Sequence, residues 1–194
     1  MPAQDSTKKR QSDATRGGAK FESHIKNFLN ESSELKRHKI QIFDGKEIVK
    51  NPLLLDQLSI PLEDYQPKWR DFYLTAVNIE TREPIALISC KLSLHGRIPE
   101  TLFYSLIYKE INPSLKVVLV TPDKGKQKTP TKWKSEWGTN DEPTKSRAFA
   151  RKYLTGVYVD NPYLRNILGF SESTKLGGNI KPFSQLVHDL INWK

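Results

Sequence analysis

The chain has 194 residues, with 31 Lys or Arg against 22 Asp or Glu, giving a net charge of +9 and a pI near 9.5. An apolar content of 37%, with 4 Trp, 7 Tyr and 8 Phe, fills one real core and excludes a wholly disordered chain. No apolar run is long enough to span a bilayer, Met1 to Gly18 is polar, and Cys90 is the single cysteine, which together argue for a reducing cytoplasm without membrane insertion or secretion.

Residues 1–18, with Lys8, Lys9, Arg10 and paired glycines, lack apolar periodicity and predict a flexible basic arm ahead of a single domain over 19–194. Phe21, Ile25, Phe28 and Leu29 fall at i, i+4, i+7 and i+8, predicting a helix from Ala19 to Asn30 with Glu22 beside its apolar stripe. Ile40 and Ile42, then Glu47 to Val49, flank Asp44-Gly45 and suggest a short strand or hairpin. A proline-bounded segment from Asn51 to Lys68 reads as a short helix and irregular chain.

From Asp71 to Ile79 and from Ile85 to Lys91, β-branched and aromatic residues flank a Glu80–Pro84 turn, predicting two antiparallel strands. Side chains alternate along a strand, so Ile85, Leu87, Ser89 and Lys91 should share one face and Ala86, Ile88 and Cys90 the other. Pro99 opens a helix reaching Glu110, and Leu115 to Thr121 reads as a strand covered on both faces. The order strand, helix, strand predicts a parallel crossover and a mixed central sheet flanked by helices. Further on come a helix at Lys145–Leu154, a strand at Gly156–Val159 and a C-terminal helix behind Pro182.

Charge is unevenly spread. Residues 51–100 carry 5 basic and 7 acidic side chains, whereas residues 101–150 carry 9 and 5. A basic body around an acidic middle suits a polyanion ligand held near carboxylate-bound divalent cations. Residues 123–137 interleave Lys124, Lys126, Lys128, Lys132 and Lys134 with Trp133 and Trp137. The lysines are candidates for phosphate contact, and the tryptophans for packing. Lys145, Arg147, Arg151 and Lys152 form a second basic group on the following helix. No phosphate-cradling glycine loop occurs, and the four histidines show no metal-ligand spacing.

The order of Glu22 on a first helix, Asp71 opening a strand, Ser89-Cys90-Lys91 closing the next, then a helix and a buried strand resembles the PD-(D/E)XK nuclease superfamily. Within it, Ile88 to Arg97 (ISCKLSLHGR) looks like type II restriction endonucleases of the Ser-x-Lys variant. The resemblance covers residues 19–121, leaving 122–194 for DNA contact and C-terminal elements. It implies an α/β restriction-endonuclease-like core and Mg²⁺-dependent, site-specific hydrolysis of double-stranded DNA by a prokaryotic, cytoplasmic homodimer.

Carried over by position, Asp71 is the metal ligand and Lys91 orients or activates the attacking water, with the Cys90 carbonyl completing the metal shell. Ser89 stands where the family usually has an acid, and the resemblance leaves Glu100 and Glu22 as candidates to replace it. His95 and Arg97, just past Lys91, are placed near the DNA backbone. Two further readings stay open: a repair or junction-resolving nuclease or the small subunit of a heteromeric restriction enzyme, and a non-catalytic basic DNA-binding module. Ser89 is the best argument for the last.

Overall fold

The computed structural model describes residues 3–93, with side chains from residue 15 onward, together with 98–125, 135–139, 141–161 and 179–194. Among the described residues, one six-stranded mixed sheet runs in the order β1 (Ile40–Phe43), β2 (Leu74–Asn78), β3 (Glu83–Cys90), β4 (Lys116–Thr121), β5 (Gly156–Val159) and β6 (Ile180–Pro182). The first three strands are antiparallel, and β3 to β6 are parallel. The predicted pair of antiparallel strands and the parallel crossover through a helix are therefore both present.

Helices cover both faces. Helix α1 (Ala3–Glu31), α2 (Ser33–Arg37) and the C-terminal α7 (Gln185–Trp193) lie on one side; α3 (Gly45–Ile48), α4 (Pro52–Leu58), α5 (Ile98–Ile111) and α6 (Lys145–Tyr153) lie on the other. Strand β4 shows why its run is apolar throughout: Val117 and Leu119 enter the core under α5, while Val118 and Val120 enter the core under α1 and α7. No helix of the described residues is long and apolar enough to cross a membrane.

Several expectations need correction. The first helix begins at Ala3 rather than Ala19, so the segment read as an arm is helical. Its Ala, Gln, Lys and Arg residues are good helix formers. They extend a helix already anchored by the buried Ile25 and Leu29 without any apolar stripe of their own. Asp44-Gly45 makes no hairpin. Asp44 caps α3, its Oδ1 accepting from the Lys46 and Glu47 backbone N–H groups, while the Asp44 N–H donates to Glu47 Oε2 at 2.8 Å. Asp-x-x-Glu is a capping box, and that chemistry overrides the turn reading. Asp71 sits in a 3₁₀ turn, Trp69–Asp71, ahead of β2 rather than on the strand. Ile85 packs with the α1 and α7 core, not with Leu87, because the β2–β3 register shifts at Ala76/Val77.

Among the described residues strand β1 has one strand neighbour, and Asn30 of α1 covers its other edge. Asn30 Nδ2 donates to the Ile42 carbonyl at 3.0 Å, and the Ile42 N–H donates to Asn30 Oδ1 at 2.8 Å. That pairing fixes α1, and Glu22 with it, against the sheet.

Candidate active site

The open ends of β2 and β3 bring the sequence candidates together. Leu74 pairs with Ile88, so Tyr73 comes opposite Ser89 and the 3₁₀ turn opposite Lys91. Alternation then turns Ser89 toward α5 and Cys90 toward α1.

On the α5 side, Lys91 Nζ donates to Glu100 Oε2 at 3.1 Å and lies 5.4 Å from the Tyr73 ring centroid. Glu100 stands in the first turn of α5, behind Pro99, and reaches Lys91 from there. Ser89 is fully buried, and its Oγ lies 2.9 Å from Thr101 Oγ1 of α5. Burial, then the charge of Glu100, pushes the Tyr73 hydroxyl up, against hydrogen bonds from Thr101 and Ser89. Ser89 thus docks α5 on the sheet at the point where Glu100 turns toward Lys91.

Asp71 accepts the Tyr65 hydroxyl and the Lys68 backbone N–H, both at 2.6 Å and both on Oδ2. Among the described residues its Oδ1 has no protein hydrogen bond. The Asp71 carboxylate holds the Tyr65 hydroxyl above its ordinary value. Burial, then Asp71 and Glu100, raise Tyr104, so the two carboxylates flank one ring. Asp71 also lines a cavity of about 210 Å³ with Leu62, Tyr65, Tyr104 and Tyr108.

On the α1 side, Glu22, Asp44, Cys90 and Lys91 line a larger cleft of about 530 Å³. Burial raises the Glu22 pKa, Lys91 opposes the rise and Asp44 adds to it. Lys26, one turn on, bridges Asp44 at 2.7 Å and Glu47 at 2.6 Å, tying α1 to α3. The Cys90 thiol packs in the α1 core, and burial followed by the nearby Glu22 pushes its pKa well above the usual value. It is a partly buried packing thiol, in keeping with its place on an apolar strand face.

The structure therefore joins Lys91 directly to Glu100, sets Asp71 on the same side, and leaves Glu22 across the strand end within charge range of Lys91. No group of three or more His, Cys, Asp or Glu among the described residues is arranged to hold a metal ion. The available donors are nevertheless all oxygens, the set that suits a hard divalent cation, and Asp71 Oδ1 is open to one. Sequence reasoning missed Tyr65, Tyr73 and Tyr104. Alternation placing Tyr73 beside Ser89 is the signal that would have found one of them.

The basic candidates separate. Lys145 is exposed over the Phe149 ring at 5.5 Å, and Arg151 and Lys124 are exposed. Arg147 is 2% exposed and sits in the interior, where burial and then Arg151 lower its pKa. Trp137 is fully buried, as expected of a packing tryptophan. The loop leading to it is closed by Asp123, which accepts the Ser135 hydroxyl at 2.5 Å and the Glu136 N–H at 3.0 Å. His95, Arg97, Lys126, Lys128, Lys132, Trp133 and Lys134 lie outside the described residues.

A mixed sheet between helical layers, with a strand-end lysine bridged to a carboxylate beside an aspartate turn, is the architecture of a restriction-endonuclease-like nuclease. Three solved structures of similar fold agree. The chain matches the restriction endonuclease AgeI, in a specific DNA complex, with a TM-score of 0.66 and 18% identity, covering 95% of this chain and 69% of that one. It matches PspGI, in a substrate DNA complex, at 0.59 and 16%, covering 100% and 67%. It matches BsaWI, in a pre-specific DNA complex, at 0.55 and 19%, covering 98% and 66%. No curated protein matches the sequence. The family model for the BsaWI restriction endonuclease, type 2, matches residues 24–189, and the chain belongs to that family of site-specific nucleases. Enzymes of this class use a divalent metal ion.

Proposed function

We propose that the protein hydrolyses phosphodiester bonds at a fixed sequence in double-stranded DNA, using Mg²⁺ and the Asp71–Lys91–Glu100 constellation. The contact that carries this reading is Lys91 Nζ to Glu100 Oε2 at 3.1 Å, which supports Glu100 as the carboxylate that would stand in for the acid Ser89 lacks. Asp71 and Glu100 would hold the ion, with the Cys90 carbonyl as a further oxygen donor and Glu22 approaching from the α1 side. A bound Mg²⁺ would supply Lewis-acid polarisation of the scissile phosphate and a lowered pKa for bound water.

The chain's own residues do the positioning. Lys91, with its side chain mostly buried, holds a positive charge where the attacking water and the phosphate meet. Tyr73 supports the Lys91 ammonium on its ring, and Ser89 with Thr101 keeps the start of α5, and so Glu100, in register. Asp71 is held by Tyr65 and the Lys68 N–H through Oδ2, which leaves Oδ1 available to an ion.

Residues 19–194 act as one nuclease domain, with Lys124, Lys145 and Arg151 on the DNA-facing basic surface. One constellation per chain cuts one strand, so a twofold homodimer on duplex DNA accounts for double-strand cleavage. The setting is the prokaryotic cytoplasm. Incubation with plasmid DNA and Mg²⁺ tests the reading. Discrete fragments from fixed sites support it; structure-dependent nicking would favour a repair nuclease, and binding without cleavage a non-catalytic module.

A further inference from the structure

Lys46, Trp69 and Arg70 stand together on the wall of the cleft that contains Glu22 and Lys91. Trp69 is 45% exposed, so its ring face is open to the cleft's cations. Both neighbouring cations lie over it: Lys46 Nζ is 5.2 Å from the ring centroid, and the Arg70 guanidinium carbon is 5.0 Å away. Among the described residues neither is ion-paired to a carboxylate, whereas Lys26, Lys91, Lys181 and Lys194 all are. Two adjacent unneutralised cations repel each other, and the shared aromatic face offsets only part of that.

The pair is also held firmly. Gly45 packs so closely on the 3₁₀ turn that an added Cβ would fall 1.8 Å from the Trp69 carbonyl oxygen. The backbone carrying Lys46 is thereby fixed against the backbone carrying Trp69, Arg70 and Asp71. Charge concentrated on a rigid rim, one residue before Asp71, is the arrangement an anionic ligand of the cleft would complete.

Resting on the nuclease reading above, we propose that Lys46 and Arg70, presented on Trp69, bind the phosphodiester backbone of the substrate DNA beside the scissile phosphate. The contact positions the strand and reads no base. The test uses the whole protein and duplex DNA containing its cleavage site, with Ca²⁺ replacing Mg²⁺, and affinity followed from about 50 to about 200 mM salt. Lys46→Ala and Arg70→Ala should each reduce the slope of log K against log salt by about 0.9, and the double variant by about 1.8. Trp69→Ala should weaken binding in the same sense. Lys36→Ala, on α2 and outside the cleft lining, controls for net charge, and thermal melting of each variant reports folding. Slopes for the two cleft variants that match wild type or Lys36→Ala would overturn the proposal while leaving the nuclease reading intact. Wild-type protein that binds no DNA at any salt concentration would overturn both.

Discussion

At the residue scale, the pairing of Lys91 with Glu100 separates two carboxylates that sequence left equivalent. Glu100→Gln should lower the Mg²⁺-dependent cleavage rate by about 10²-fold or more, as expected when a charged group at the reacting centre is removed. Glu22→Gln should cost less, since Glu22 reaches Lys91 only through space. Single-turnover cleavage of both variants decides the order, and a larger loss for Glu22 would reverse the assignment. The pair is not there for stability: Glu100 is half exposed, so the salt bridge contributes at most about 1 kcal/mol. Ser89 is different. Ser89→Ala should cost about 0.5–1.5 kcal/mol of unfolding free energy through the lost buried contact with Thr101, and should lower cleavage less than Glu100→Gln because it acts only through the placement of α5. The faces of Ser89 and Cys90 were legible in the sequence because alternation along β3 fixes them, whereas the turn that carries Asp71 was read as strand. Glu100's reach to Lys91 was not legible, because it depends on where α5 docks.

At the element scale, short connections do more than the regular elements to hold the site. Helix α3 has only four residues, yet it carries the Asp44 cap, receives Lys26 from α1, and presses Gly45 against the Trp69–Asp71 turn. Gly45→Ala must push that turn away. It should destabilise the fold by roughly 1–3 kcal/mol and reduce cleavage more than any shift in melting temperature explains. Wild-type activity in a folded Gly45→Ala protein would show that the turn's position is immaterial. Strands β1 to β5 and α4 to α7 were legible because periodicity and capping agree there with tertiary packing. The extent of α1 was not, because its first half has helix propensity without an apolar face. β6 was not, because three residues carry no period.

The buried end of the parallel sheet adds a pH dependence. Tyr158 of β5 and Lys181 of β6 both donate to Asp189 Oδ2 of α7, at 2.5 and 2.7 Å. Burial alone would raise Asp189, but the Lys181 and Tyr158 hydrogen bonds outweigh it and hold the carboxyl below the ordinary 3.8. A depressed native pKa means the ionised form stabilises the fold at pH values above 3.8, and that contribution fades as pH falls through the lower native value. Asp189→Asn should therefore cost about 1–3 kcal/mol near neutral pH, measured by urea unfolding, and the gap to wild type should close in acid. A gap independent of pH would remove the charge from the account.

At the scale of the whole molecule, the proposed function divides the charge of +9 into separate roles. Among the described residues, exposed cations stand on α6, at Lys124 and on the Lys46–Arg70 rim, while the candidate carboxylates come from α1, the turn before β2 and α5. The fold brings together acids from residues 22, 71 and 100 that lie far apart in sequence, and it supplies three tyrosines that no motif announced. The most direct test of the account is cleavage of plasmid DNA in Mg²⁺ by wild type, Asp71→Ala, Lys91→Ala and Glu100→Gln, each verified to be folded. Discrete fragments from the wild type, lost in all three variants while DNA binding in Ca²⁺ persists, is the predicted result. Unchanged cleavage by Asp71→Ala and Lys91→Ala would contradict it.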